Sequence, residues 1–131
     1  MLVMLDTNVV LSALLFPGET IYKMMHKVTT EHQLMLSSYI ISEIHDVTQR
    51  KFPDKAEVIN TLLSQIPYKL VETPDHIEDG HFEIRDAKDY PTLYSAIIAN
   101  IDIFVTGDKD FDDVVVEKPK IVTPAEFVLT Y

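Results

Sequence analysis

The sequence predicts an α/β fold built on a mainly parallel sheet, and two observations carry that expectation. Short apolar runs alternate with stretches of helical periodicity, which is the pattern of βαβ units. Two of those runs end in a carboxylate: Leu2-Val3-Met4-Leu5 leads into Asp6, and Ile103-Phe104-Val105-Thr106-Gly107 leads into Asp108. In an open α/β sheet, ligands bind in the crevice outside the carboxyl ends of the strands. The pattern that predicts the sheet therefore also predicts where a site should lie.

Each element follows from local signals. Leu2–Leu5 is short and wholly apolar, as a buried strand is. Residues 8–16 read as a helix stopped by Pro17-Gly18, and 20–28 as a second helix. Gln33–Leu36 is the second strand, and Ser37 or Ser38 can cap the helix after it. That helix presents Ile40, Ile44 and Val47 on one face. Phe52-Pro53-Asp54 breaks the chain before a helix over 55–65, and Pro67 precedes a short strand, Tyr68–Val71. Residues 73–88 read as an irregular acidic connection. Leu93, Ala96 and Ile97 mark a helix over 92–100. Ile103–Thr106 is the fourth strand, Lys120–Val122 the fifth, and Pro124–Leu129 a last short helix.

The chain has 131 residues, nearly half of them apolar, which is one domain with a sizeable core. It has no cysteine, which excludes disulfides and thiolate zinc sites. No Lys or Arg precedes the apolar start, so no signal peptide is expected. No apolar run reaches the length of a membrane span. The expectation is a soluble, cytoplasmic protein. The net charge of −10 argues against broad nonspecific nucleic-acid binding. It does not exclude a nuclease, because a bound cation inverts the local field of an acidic site. It also suits a basic protein partner.

Four acids stand out. Asp6 ends the first strand, although an aspartate there also reads as a helix N-cap. Glu43 lies at the edge of the Ile40/Ile44/Val47 stripe, where a carboxylate is partly desolvated. The alternative is a solvated flank residue. Asp89 precedes Pro91 near a helix start, again a cap position, and Asp86 competes with it. Asp108 sits in Thr106-Gly107-Asp108-Lys109-Asp110-Phe111, where Gly107 permits a tight turn and two acids stand two residues apart. Asp-rich turns of this kind also occur without a ligand.

If the fourth strand crosses over to lie beside the first, Asp6 and Asp108 become neighbours at a switch point, and Glu43 and Asp89 can overhang the same crevice. Converging carboxylates repel unless a proton or cation lies between them. An all-oxygen ligand set suits Mg²⁺ or Mn²⁺ rather than zinc or copper. Other sites fail on spacing. The five histidines show no paired metal-ligand spacing, and the three glycines form no phosphate loop.

At this point the residues resemble the PIN-domain ribonucleases, most closely the branch of toxins from toxin–antitoxin systems. The matching segments are Leu5-Asp6-Thr7-Asn8-Val9-Val10 with Ser12-Ala13-Leu14, then Ser42-Glu43-Ile44, Arg85-Asp86-Ala87-Lys88-Asp89, and Val105-Thr106-Gly107-Asp108-Lys109-Asp110-Phe111. They span nearly the whole chain in order. The resemblance implies a single three-layer α/β/α domain over residues 1–131 with strand order 3-2-1-4-5. It also implies metal-dependent endoribonuclease activity on single-stranded RNA. By motif position the catalytic and metal-binding acids are Asp6, Glu43, Asp89 and Asp108, with Asp110 as a possible fifth ligand. Thr7 and Asn8 fall where the first acid is oriented. Ala87 departs from the branch, which often has proline there, and this keeps Asp86 open as an alternative to Asp89.

The implied cofactor is Mg²⁺ or Mn²⁺, which would polarise the scissile phosphate and activate water. The implied partners are a basic antitoxin and a second copy of the chain in a homodimer. Lys88 and Lys109 neighbour proposed ligands but also read as solvated lysines. Two rival readings are a catalytically silent binding module of the same fold and a receiver-like Mg²⁺-binding signalling domain. The second would need a phosphate-accepting aspartate after the third strand, where Glu72-Thr73-Pro74 follows and Asp75 comes only beyond the proline.

Overall fold

A computed structural model describes residues 1–131. Five parallel strands form one sheet: β1 (Leu2–Leu5), β2 (Gln33–Ser37), β3 (Lys69–Val71), β4 (Ile103–Val105) and β5 (Lys120–Val122), in the order β3-β2-β1-β4-β5. The six helices are α1 (Thr7–Leu15), α2 (Glu19–Glu31), α3 (Ser38–Lys51), α4 (Ala56–Gln65), α5 (Tyr90–Ile98) and α6 (Pro124–Thr130). The expected α/β/α fold and strand order are both present. The order also removes the receiver-like alternative, because that arrangement places β3 beside β1, whereas here β3 is an edge strand beyond β2.

Strand chemistry explains the order. β1 and β4 occupy inner positions, and Val3, Met4, Leu5, Ile103, Phe104 and Val105 are all buried. β3 lies at an edge, and its Lys69 and Leu70 are exposed. Right-handed crossovers place α1–α4 on one face, since β1→β2→β3 steps one way. The step from β3 to β4 runs back across the sheet and carries α5 to the other face. The β4–β5 connection contains no α-helix, only a single 3₁₀ turn at Lys109–Phe111.

Several boundaries differ from those the sequence predicts. Ser37, not Ser38, caps α3: its hydroxyl accepts from the Ile40 amide at 3.1 Å. The helix predicted over 92–100 instead runs Tyr90–Ile98. Asn100 adopts a left-handed φ of 57°, and the Ile101 amide donates back to the Ala96 carbonyl at 3.0 Å. This is a Schellman-type stop, for which asparagine substitutes when glycine is absent. A 3₁₀ turn at Ala87–Asp89 precedes α5, and another at Pro53–Lys55 precedes α4. No helix is long and apolar enough to cross a membrane.

Candidate metal centre

The strand order reverses between β1 and β4, and the acids converge at that point. Met4 lies opposite Phe104 and Leu5 opposite Val105, so Asp6 and Thr106 leave adjacent strands at the same level. The Asp6 amide donates to the Val105 carbonyl at 3.0 Å. Asp6 is only 6 % exposed. Its Oδ1 accepts from the Thr7 amide at 2.8 Å, and its Oδ2 accepts from the Thr106 hydroxyl at 2.8 Å. Burial pushes its pKa up, the two hydrogen bonds oppose that, and Asp108 adds repulsion.

Asp6 is the N-cap residue of α1, as its position suggests, and its carboxylate lies where β1 and β4 end side by side. Thr7 links it to the second acid. The Thr7 hydroxyl donates to Glu43 Oε1 at 2.9 Å, which holds the α3 carboxylate over the end of β1. Glu43 is half-buried, and that burial raises its pKa. The Thr7 bond and the nearby Thr92 hydroxyl on α5 favour its ionised form, while Asp6 disfavours it. Asp46, one turn on, is exposed. Asn8 lies exposed on the first turn of α1 and makes no hydrogen bond to Asp6. The side-chain donor that reaches Asp6 is the Thr106 hydroxyl.

Asp108 lies where β4 gives way to its 3₁₀ turn. Its Oδ1 accepts from the Asp110 amide at 2.9 Å, and its own amide donates to the Thr106 hydroxyl at 3.0 Å. The buried Thr106 hydroxyl therefore couples Asp6 and Asp108. Asp86 and Asp89 bracket the turn before α5, and their hydrogen bonding differs. Asp86 is exposed and caps that turn, accepting from the Lys88 amide at 3.0 Å. Asp89 makes no cap bond, contrary to the cap reading of its position.

Asp89 Oδ2 is buried without any hydrogen-bond partner. Burial first, then repulsion from Asp108, Asp6, Asp86 and Asp110, pushes the Asp89 pKa up from 3.8 to about 7. Oxygens of Asp86, Asp89 and Asp110 lie within 4.8 Å of one another. Such a group can share a hard cation. An orphaned buried oxygen surrounded by other carboxylates fits that use and has no evident structural one.

A family model described as PIN domain matches residues 2–110. The chain belongs to the PIN domain family. No curated protein matches it by sequence. Among solved structures, this PIN domain is similar to one described as the crystal structure of VapBC2 from Rickettsia felis bound to a DNA fragment from their promoter. The TM-score is 0.70 at 16 % identity, covering 93 % of this chain and 97 % of that one.

Three residues of this candidate site escaped the sequence. Thr106 is one residue past a strand, and only the β1–β4 register reveals that it faces Asp6. Thr92 is a buried polar residue inside an apolar helix pattern, a signal that was available. Arg85 comes from the irregular connection, and its guanidinium lies 3.6 Å from Asp110 and 3.8 Å from Asp113. Lys88 and Lys109 are exposed, as expected of solvated lysines.

Proposed function

We propose that this PIN-domain chain is a metal-dependent endoribonuclease that cuts single-stranded RNA and acts as the toxin of a toxin–antitoxin pair. The observation that carries the reading is Asp89, a half-buried carboxylate with an unsatisfied oxygen among four other acids. Holding an anion there is costly unless a cation joins it. Asp6, Glu43, Asp89 and Asp108 would hold Mg²⁺ or Mn²⁺, with Asp110 and Asp86 at the rim. The cation, when bound, supplies Lewis-acid polarisation of a phosphodiester and lowers the pKa of a water.

The remaining chemistry belongs to the protein's own residues. Thr7 and Thr106 fix the rotamers of Glu43 and Asp6, so the acids are positioned before substrate arrives. No side chain is required as a nucleophile. Arg85, paired loosely with Asp110, can turn to a substrate phosphate once a cation neutralises that carboxylate.

The likeness to the VapBC2 structure and the charge of −10 support a basic antitoxin as partner. Homodimerisation and a cytoplasmic location complete the reading. The test is cleavage of single- and double-stranded RNA in Mn²⁺ and in EDTA, with Asp89→Asn alongside. Mn²⁺-dependent cutting of the single strand, lost in the variant, is expected. A folded wild-type protein that cuts no RNA in Mn²⁺ leaves a silent binding module. Co-expression with the neighbouring gene tests the toxin assignment. A small basic protein that co-purifies and blocks cleavage supports it, and an active protein harmless to its host argues for a housekeeping nuclease.

A further inference from the structure

A second cavity opens on the far side of Asp108, beneath the β4–β5 connection, with a volume of about 640 Å³. That lies within the roughly 300–1,000 Å³ of small-molecule sites. It shares Asp108 with the candidate metal centre and runs on past Lys109 to Thr123 and Glu126. Aliphatic side chains, among them Val114, Val116 and Ile121, form its walls. We propose that this cavity receives the base of the nucleotide next to the cut, and that Glu126 selects guanine there. The inference rests on the nuclease reading for the identity of the strand, but not for the binding itself.

Charge decides what can enter. Four carboxylates (Asp108, Asp112, Glu117 and Glu126) line the cavity against two lysines (Lys109 and Lys120). A phosphate is repelled there unless a cation accompanies it, whereas the flat, uncharged face of a base can pack on aliphatic walls. The hydrogen-bonding edge of that base then meets acceptors rather than donors. At the end of the cavity away from the acid cluster, exposed Glu126 is held in place: the Thr123 hydroxyl donates to its Oε1 at 3.2 Å, and its own amide donates to that hydroxyl at 3.2 Å.

Both bonds run through the one Thr123 hydroxyl, the N-cap group of α6, and they leave Oε2 free. An ionised carboxylate only accepts hydrogen bonds. Guanine presents two adjacent N–H donors on its Watson–Crick edge. Uracil presents one donor between two acceptors, while adenine and cytosine each set one amino group beside an acceptor. Only guanine satisfies both carboxylate oxygens without leaving an acceptor facing an acceptor. Lys109, exposed between the two sites, is placed to meet the phosphate that joins this nucleotide to the scissile one.

The test uses the full chain in Mg²⁺, titrated with the 5′-monophosphates of guanosine, adenosine, cytidine and uridine and read by amide chemical shifts. The four share a phosphate, so differences report the base. Guanosine monophosphate should perturb Val114, Val116 and Thr123 and bind about tenfold tighter than the others. Glu126→Gln, which preserves size and the capping geometry, should erase that margin while the rest of the spectrum stays folded. Shifts confined to other surfaces, or a guanine margin unchanged in Glu126→Gln, overturn the proposal. Mapping cuts in RNA separates the two readings. Guanine binding that depends on Glu126, with no RNA cut, removes the nuclease and keeps the subsite. Cutting with no base preference at the flanking position removes the subsite and keeps the nuclease.

Discussion

Asp89 is the residue on which the site turns. Its side chain makes no hydrogen bond that a substitution could lose, and its charge meets repulsion from four neighbours. Asp89→Asn should therefore melt higher than wild type in EDTA. It should also lose most of the stabilisation that Mn²⁺ gives wild type, about 2.7 kcal/mol at a hundredfold excess over Kd. Thermal melts of both proteins, each with EDTA and with Mn²⁺, check this pairing of opposite signs. A variant that melts lower in EDTA and gains fully from Mn²⁺ would show Asp89 to be structural. Thr106 behaves in the contrary way. Thr106→Val leaves a buried Asp6 oxygen and the Asp108 amide without a partner, at a cost of about 1–3 kcal/mol. Urea unfolding should register that loss, and Thr106→Ser should restore it. Equal midpoints for Val and wild type would mean that water replaces the hydroxyl.

At the scale of elements, α3 shows how a helix divides a carboxylate between core and solvent. Ile40 and Ile44 are buried, Glu43 rides the edge of their stripe, and Asp46 faces water. Glu43→Gln should weaken Mn²⁺ affinity measured by calorimetry, whereas Asp46→Asn should leave it within error. Identical losses in the two variants would contradict the geometry of this helix. The orientation of α3 was legible from periodicity, because 100° per residue is a local property. The end of α5 was not. The apolar pattern continues to Ile98 and Ile101, and only the left-handed Asn100 reveals where the helix stops. Periodicity records which face is buried and says little about the dihedral angle of one residue.

For the whole molecule, the converging acids make stability depend on pH in a definite direction. The Asp89 pKa is raised, so between 3.8 and about 7 the folded chain binds more protons than the unfolded one. Its contribution is complete below 3.8 and is lost as pH rises through about 7. Asp89 is partly open to solvent, which keeps the slope shallow. In EDTA, the melting temperature of wild type should fall across that window more than that of Asp89→Asn, and saturating Mn²⁺ should shrink the difference. Parallel curves for the two proteins in EDTA would remove Asp89 as the source.

The sequence by itself determined the fold class and the order of the elements, and it singled out the acids proposed here as metal ligands. Strand apolarity, helical periodicity and an acid placed after a strand are all encoded within a few residues of one another. It could not choose between Asp86 and Asp89, because both sit in one turn and both can cap. In the folded chain Asp86 accepts a backbone amide, whereas Asp89 Oδ2 is buried without a partner among acids from distant segments. Tertiary structure also supplied Thr106, Arg85 and the cavity at Glu126, whose roles depend on neighbours distant along the chain. Thr106 and Asp6 are a hundred positions apart. The parallel register of β1 against β4 brings them together, and that register is a property of the packed sheet rather than of either segment.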